Sequence, residues 1–181
     1  TIPSGLINNG DIANLTIENA AGVTNADVLK ITQVLLVRSG TFATGDGVTM
    51  VCSFSPSRRT AQIGAIGATG AITGNVTVEQ CFPARRAFRF VTSSVNTATS
   101  IRANWQENAS AWNANPNPGY GTQITGLGAG GSVANDGIDG FDWQPSGASS
   151  LFTFSNATQQ WSAATNTTST LTAGVPYRIL I

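Results

Sequence analysis

Apolar residues in this chain recur in short runs and almost nowhere at the 3.6-residue spacing of a helix. Leu15 and Ile17 stand between Asn14, Thr16 and Glu18, and Val76 and Val78 flank Thr77. Such period-two alternation marks a strand with one buried face. Strands are predicted over Ile12–Glu18, Val28–Val37, Val48–Phe54, Ala61–Ile66, Ala71–Glu79 and Ala87–Thr92, with turns at Ser39-Gly40 and Gly45-Asp46-Gly47. Helical signals are weak: Ala20 and Ala21 run straight into Gly22, and Asn25–Lys30 is expected to make one turn at most. Further on, Ser150–Ser155, Gln159–Ala163 and Pro176–Ile181 read as strands. The first two of these form a hairpin around Asn156-Ala157-Thr158. Leu127–Gly140 is glycine-rich and reads as a long surface loop.

The pattern changes character along the chain. Before residue 80, short β-branched and leucine runs recur after glycine-containing turns at irregular spacing. This fits a β-solenoid of stacked parallel strands, and a meander of antiparallel strands is the alternative. All four tryptophans and both tyrosines lie after residue 100. The expected fold is all-β: a solenoid-like segment over 1–82, then an aromatic-rich antiparallel β-sandwich over 83–181.

Composition narrows the function. There is no histidine, Lys30 is the only lysine, and charged residues are 10% of the chain, so the commonest general acid–base group and metal ligand are missing. Formal net charge is zero, which gives no electrostatic basis for nucleic-acid binding and little repulsion between copies. No apolar run approaches the length of a membrane span. The chain begins at Thr1 with no charged leader, as a mature exported protein would.

Several residue groups are candidates for chemistry. Cys52 and Cys81, an even count in a chain read as exported, are expected to form a disulfide, with two buried thiols as the alternative. Asp136, Asp139 and Asp142 are spaced three apart among glycines, where a tight loop can turn carboxylates onto a calcium ion. A solvated Gly/Asp loop explains the same spacing. Trp105 and Trp112 are candidates for stacking on sugar rings, or are core residues. Arg58-Arg59 and Arg85-Arg86 with Arg89 are basic spots that a subunit contact or the solvent would satisfy. Five Asn-x-Ser/Thr triplets, at Asn14, Asn75, Asn108, Asn156 and Asn166, are expected by chance in a chain so rich in these residues. No nucleophile elbow, phosphate loop or Cys/His pair is present, and the scattered Glu79 and Glu107 give no local sign of a carboxylate pair. The chain is not expected to be an enzyme.

Ala13–Val23, Ile72–Glu79, Phe82–Phe90, Ser100–Glu107, Gly119–Gly126, Ser150–Phe154 and Leu171–Arg178 together resemble a module of large secreted cell-surface proteins of the Bacteroidetes type. That resemblance covers most of the chain. It implies export by the type IX route, for which a separate C-terminal sorting domain is read, and it carries no known chemistry. Gln80 and Cys81 depart from the basic residue and aromatic usual there, which marks the cysteine as a local addition. The expected role is an extracellular, cell-surface structural protein that partners copies of itself as a filament subunit or serves as an adhesin module. The polar N-terminal segment, with Thr1, Ile2, Leu6 and Ile7, is the candidate for strand addition to a neighbour. The rival expectation is a carbohydrate-binding module that partners surface glycans. No cofactor other than calcium is expected.

Overall fold

Leu29, Ile31, Leu35, Val37 and Phe42 are fully buried, and all five lie on one strand, β3 (Leu29–Ala43). The computed structural model to which this strand belongs describes residues 1–7, 10–54, 59–128 and 130–181. The chain is all-β, with one five-residue α-helix among the described residues. It divides into two compact units, Thr1–Pro83 and Ala84–Ile181.

In the first unit, β3 is the central strand of a wholly parallel ladder. β1 (Asp11–Glu18) and β2 (Val23–Thr24) pair with it on one side. β4 (Val48–Met50), β7 (Gln62–Ile63) and β8 (Thr69–Thr73) pair on the other, and β9 (Val76–Val78) pairs with β4. An antiparallel meander does not form here. Asp11 lies opposite Lys30 and Leu29 opposite Val48, nineteen residues apart in each case. Val34 lies opposite Gln62 and Val48 opposite Val76, twenty-eight residues apart. The difference is a nine-residue excursion, Cys52–Thr60, whose arms β5 (Cys52–Ser53) and β6 (Arg59–Thr60) pair antiparallel.

Inward alternation along β3 is interrupted at Gln33, which is exposed, and changes phase between Val37 and Phe42. A period-two strand does this at a corner or a bulge. Gly40 sits at this phase change, a corner of β3, with φ 75°, and a Cβ there would strike the Asn19 carbonyl oxygen, so the two backbones approach through a position only glycine fills. The buried polar groups lie at another corner. Asn25 donates through its side-chain amide to the carbonyls of Asp27 (2.8 Å) and Thr44 (2.9 Å), and the Thr44 hydroxyl donates to the carbonyl of Asn75 (2.8 Å). Asn25–Lys30 is therefore no helical turn: side-chain bonds at Asn25 and Asp27 hold the bend, and Leu29 already belongs to β3.

The second unit is built on an antiparallel sheet ordered β10 (Phe88–Thr92), β13 (Pro176–Leu180), β11 (Leu151–Ser155), β12 (Gln160–Ala163). The expected hairpin around Asn156 is present. One face of the sheet carries Leu151, Tyr177 and Ile179, which pack with Ile101, Ile124, Phe141 and Leu171 into a core. The helix, α1 (Ile101–Trp105), has a Ser100 N-cap whose hydroxyl accepts from the Ala103 N–H (3.2 Å). Most of the covering layer is irregular backbone, fastened by side chains. The Ser150 hydroxyl accepts from the Thr125 N–H (2.8 Å), the Thr125 hydroxyl donates to the carbonyl of Ala148 (2.7 Å), and the Gln123 amide donates to that of Trp143 (2.7 Å). A buried backbone without a ladder needs such partners.

Candidate functional site

Strand alternation that turns Leu151, Tyr177 and Ile179 inward turns Phe152, Phe154 and Arg178 to the opposite face of the same sheet. Phe90 lies opposite Arg178, Arg178 opposite Phe152, and Phe154 opposite Trp161. The result is an aromatic surface centred on one cation. The Arg178 guanidinium lies 4.2 Å from the Phe152 ring centroid, 5.0 Å from Phe88 and 5.9 Å from Trp161. Contacts of this kind contribute about 0.5–2 kcal/mol each, more as water is excluded. Phe88 meets Phe152 edge to face at 5.8 Å, and Trp161 is tilted against both Phe90 (5.5 Å) and Phe154 (5.0 Å). Phe90 is 74% exposed and Phe88 48%. Exposed aromatics grouped on one regular sheet are unusual for a surface that meets only water.

The Arg178 side chain makes no ion pair or hydrogen bond among the described residues, and its Nε is buried without a partner. This group is what sequence reasoning missed. Its signals were there: Phe88-x-Phe90 and Phe152-x-Phe154 alternate with the period of a strand, so each pair must share a face. Those pairs support the strand assignments equally well, and only the sheet order brings them side by side.

The sequence-predicted residues fall elsewhere. Cys52 and Cys81 form a disulfide. It ties the start of the excursion to the chain just past β9, and the Glu79 carboxylate accepts from the Cys52 N–H (2.9 Å) beside it. Glu79 is thereby engaged in holding this junction. Arg58 and the rest of 55–58 lie outside the described residues, as do Asn8 and Asn9.

Asp136, Asp139 and Asp142 are not brought together. No group of three or more Cys, Asp or Glu side chains able to hold a metal occurs among the described residues. Asp142 is fully buried: one carboxylate oxygen accepts from the Ile124 N–H (3.1 Å) and the other lies 3.8 Å from the Arg102 guanidinium. Asp136 instead accepts from the Trp143 N–H (3.0 Å), while Asp139 occupies the left-handed region with φ 51°. Two of the three aspartates thus fold the loop. Burial pushes the Asp142 carboxyl above its usual range even with the Ile124 N–H opposing it. Burial, with Asp142 nearby, does the same to Glu107.

The two candidate tryptophans separate. Trp105 packs edge to face on Tyr177 (5.4 Å) beside the core, whereas Trp112 is 64% exposed and makes no ring pair among the described residues. At the N-terminus, Ile2 bridges Asn25: its N–H donates to the Thr24 carbonyl (2.7 Å) and its carbonyl accepts from the Ala26 N–H (2.8 Å). The Asp27 carboxylate accepts from the N–H groups of Gly5 and Ile7, Ile7 packs on the core, and Leu6 and Thr1 are exposed. The segment carrying Thr1, Ile2, Leu6 and Ile7 is docked on its own chain.

No helix among the described residues is long and apolar enough to cross a membrane. Comparison of the chain with protein-family models, with curated proteins and with solved structures finds no match.

Proposed function

We propose that this chain is a non-catalytic structural protein of the extracellular cell surface, working as a self-associating filament subunit or as an adhesin module. The observation that carries this reading is the parallel ladder of the first unit. Its first registers step by nineteen to twenty-one residues, and β1 pairs on one side only among the described strands. A solenoid-like stack of this kind offers a row of free backbone donors and acceptors at its edge, where another strand can add. Head-to-tail addition builds a fibre when the rotation between copies does not close a ring. Low charge and the single lysine leave little to block such an edge. The disulfide fits an oxidising compartment, in keeping with export and with the resemblance to secreted surface modules.

Strand addition by Thr1–Ile7 takes the form of an exchange in this proposal, because Ile2 already occupies its own Asn25. A neighbour's segment would take the same bonds. Negative-stain microscopy with sedimentation velocity tests the reading. Regular fibres, lost when residues 1–10 are deleted, are the expected result. Monodisperse monomers at high concentration would remove the filament version and leave the adhesin module.

A second reading, a carbohydrate-binding module built on a sandwich-type fold, is favoured by one observation: the exposed aromatic face around Arg178. Aromatic rings stack on the C–H faces of pyranoses, and this face supplies several at once.

A further inference from the structure

We infer that the aromatic face of the second unit binds an acidic polysaccharide, a chain of uronic acid residues, with Arg178 receiving the carboxylate. The inference rests on the carbohydrate-binding reading and adds the charge of the ligand and the residue that reads it.

Charge complementarity carries the argument. Arg178 is the only charged residue of the patch: the rings of Phe88, Phe152 and Trp161 lie around its guanidinium, and Phe90 and Phe154 pack on Trp161. Its guanidinium faces are engaged by rings and its Nε is closed off, so the terminal N–H fork is what it can offer a ligand. The ion pair of this unit among the described residues is Arg102 with Asp142, and it involves neither Arg178 nor a ring of this face. A guanidinium held in an apolar setting with no anion is costly unless something outside supplies one, and a planar carboxylate matches its donors in pairs.

The remaining surface fits a sugar. Phe90 and Trp161 are tilted by 40°, and Phe154 and Trp161 by 47°, so the rings do not form one flat platform. They present faces at successive angles, as a single polysaccharide chain with rotated residues requires, and a crystalline surface does not. A second copy seated face to face would bring two Arg178 side chains together with no carboxylate on either face. That is a like-charge contact in a water-poor setting.

Affinity gel electrophoresis and titration calorimetry of the intact protein test this, with three probes: polygalacturonate, its methyl ester, and dextran. The ester keeps the backbone and removes the charge. The expected result is binding to polygalacturonate that is weakened at least tenfold by esterification and by raised salt. Arg178→Gln should abolish the preference for the acid form, and Phe90→Ala should weaken binding of both forms. Phe90 is too exposed for its loss to unfold the unit, which keeps the test decisive if Arg178→Gln folds poorly. Equal binding of acid and ester would overturn the inference and leave the carbohydrate-binding reading standing. No binding to any probe would overturn both. A concentration-dependent dimer dispersed by Phe90→Ala would assign the face to a second copy and overturn the inference as well.

Discussion

Both units face the same difficulty, a chain rich in Thr, Ser, Asn and Gly with few large apolar residues, and they solve it differently. Thr1–Pro83 pairs short strands in parallel along β3, so that each backbone segment finds its partners on the strand beside it. Its core is aliphatic apart from Phe42, and it contains no tryptophan. Ala84–Ile181 has one regular sheet and a large irregular layer that no ladder can satisfy. There the same polar residues act as fasteners, with Asp142, Gln123, Thr125 and Ser150 bonding the backbone one group at a time. Parallel pairing satisfies the backbone of the first unit strand by strand. A sheet covered on one face leaves the aromatic residues of the other exposed.

Three experiments break or sharpen this contrast, and the tryptophans make them practical, since all four report on the second unit alone. The largest effects belong to the two buried phenylalanines. Phe42→Ala should cost the first unit about 3–5 kcal/mol, and Phe141→Ala should cost the second a similar amount. In denaturant titrations, Phe42→Ala should shift the far-ultraviolet transition and leave tryptophan fluorescence in place, with Phe141→Ala shifting the fluorescence. Fluorescence that moves with Phe42→Ala would show that the units unfold as one.

Next comes the disulfide, which closes a separation of 29 residues. Chain entropy puts its contribution at about 3–4 kcal/mol. Replacing Cys52 and Cys81 together by alanine should therefore destabilise the first unit by nearly as much as Phe42→Ala. An unchanged midpoint by circular dichroism would show that the coils hold the excursion in place without it.

A smaller effect separates the units by sign. Backbone N–H groups of Ile7 and Gly5 hold the Asp27 carboxyl below its ordinary value of 3.8. The folded first unit binds that proton more weakly than the unfolded chain. The resulting stability is present above the ordinary value and is lost as the pH falls through the lowered one. In the second unit, burial raises Asp142 and Glu107 above their ordinary values of 3.8 and 4.5. Their folded forms hold protons more tightly, so the stability they confer is complete in acid and is lost as the pH rises through that range. Acidification from pH 6 towards pH 3 should weaken the first unit relative to its Asp27→Asn variant and strengthen the second relative to Asp142→Asn. Midpoints at each pH, by amide exchange at Leu29 and Ile31 and by fluorescence, check both signs. Shifts of the same sign in both units would refute the electrostatic part of the contrast.

Strand positions were largely legible because a strand writes its buried face into alternate residues. Leu15 and Ile17, Val76 and Val78, and the pairs flanking Asn156 all declared themselves. The nineteen-residue step was also written in the chain, since Leu29-Lys30-Ile31 and Val48-Thr49-Met50 are one coil apart. It was hidden because nine residues, Cys52 to Thr60, enter before the next parallel strands, which makes the spacing look irregular. The aspartates misled for a related reason. Spacing shows that Asp136, Asp139 and Asp142 are near one another in the chain, but a loop that turns between them can send one carboxylate inward and leave another at the surface. α1 escaped notice because five residues carry too little periodicity to stand out, although Ser100 is a good N-cap.

By itself the amino-acid sequence determined that this protein is all-β, that its two halves differ in aromatic content, and that histidine chemistry is closed to it. These follow from local alternation and from composition, which need no knowledge of distant contacts. Tertiary structure alone decided that the first ladder is parallel, that the N-terminal segment docks at Asn25, and that Asp142 is buried beside Arg102. It alone gathered Phe88, Phe152 and Trp161 around Arg178, with Phe90 and Phe154 against Trp161. Each of these depends on which strands become neighbours, and pairing is chosen by the best burial of whole faces, a sum over residues far apart in the chain.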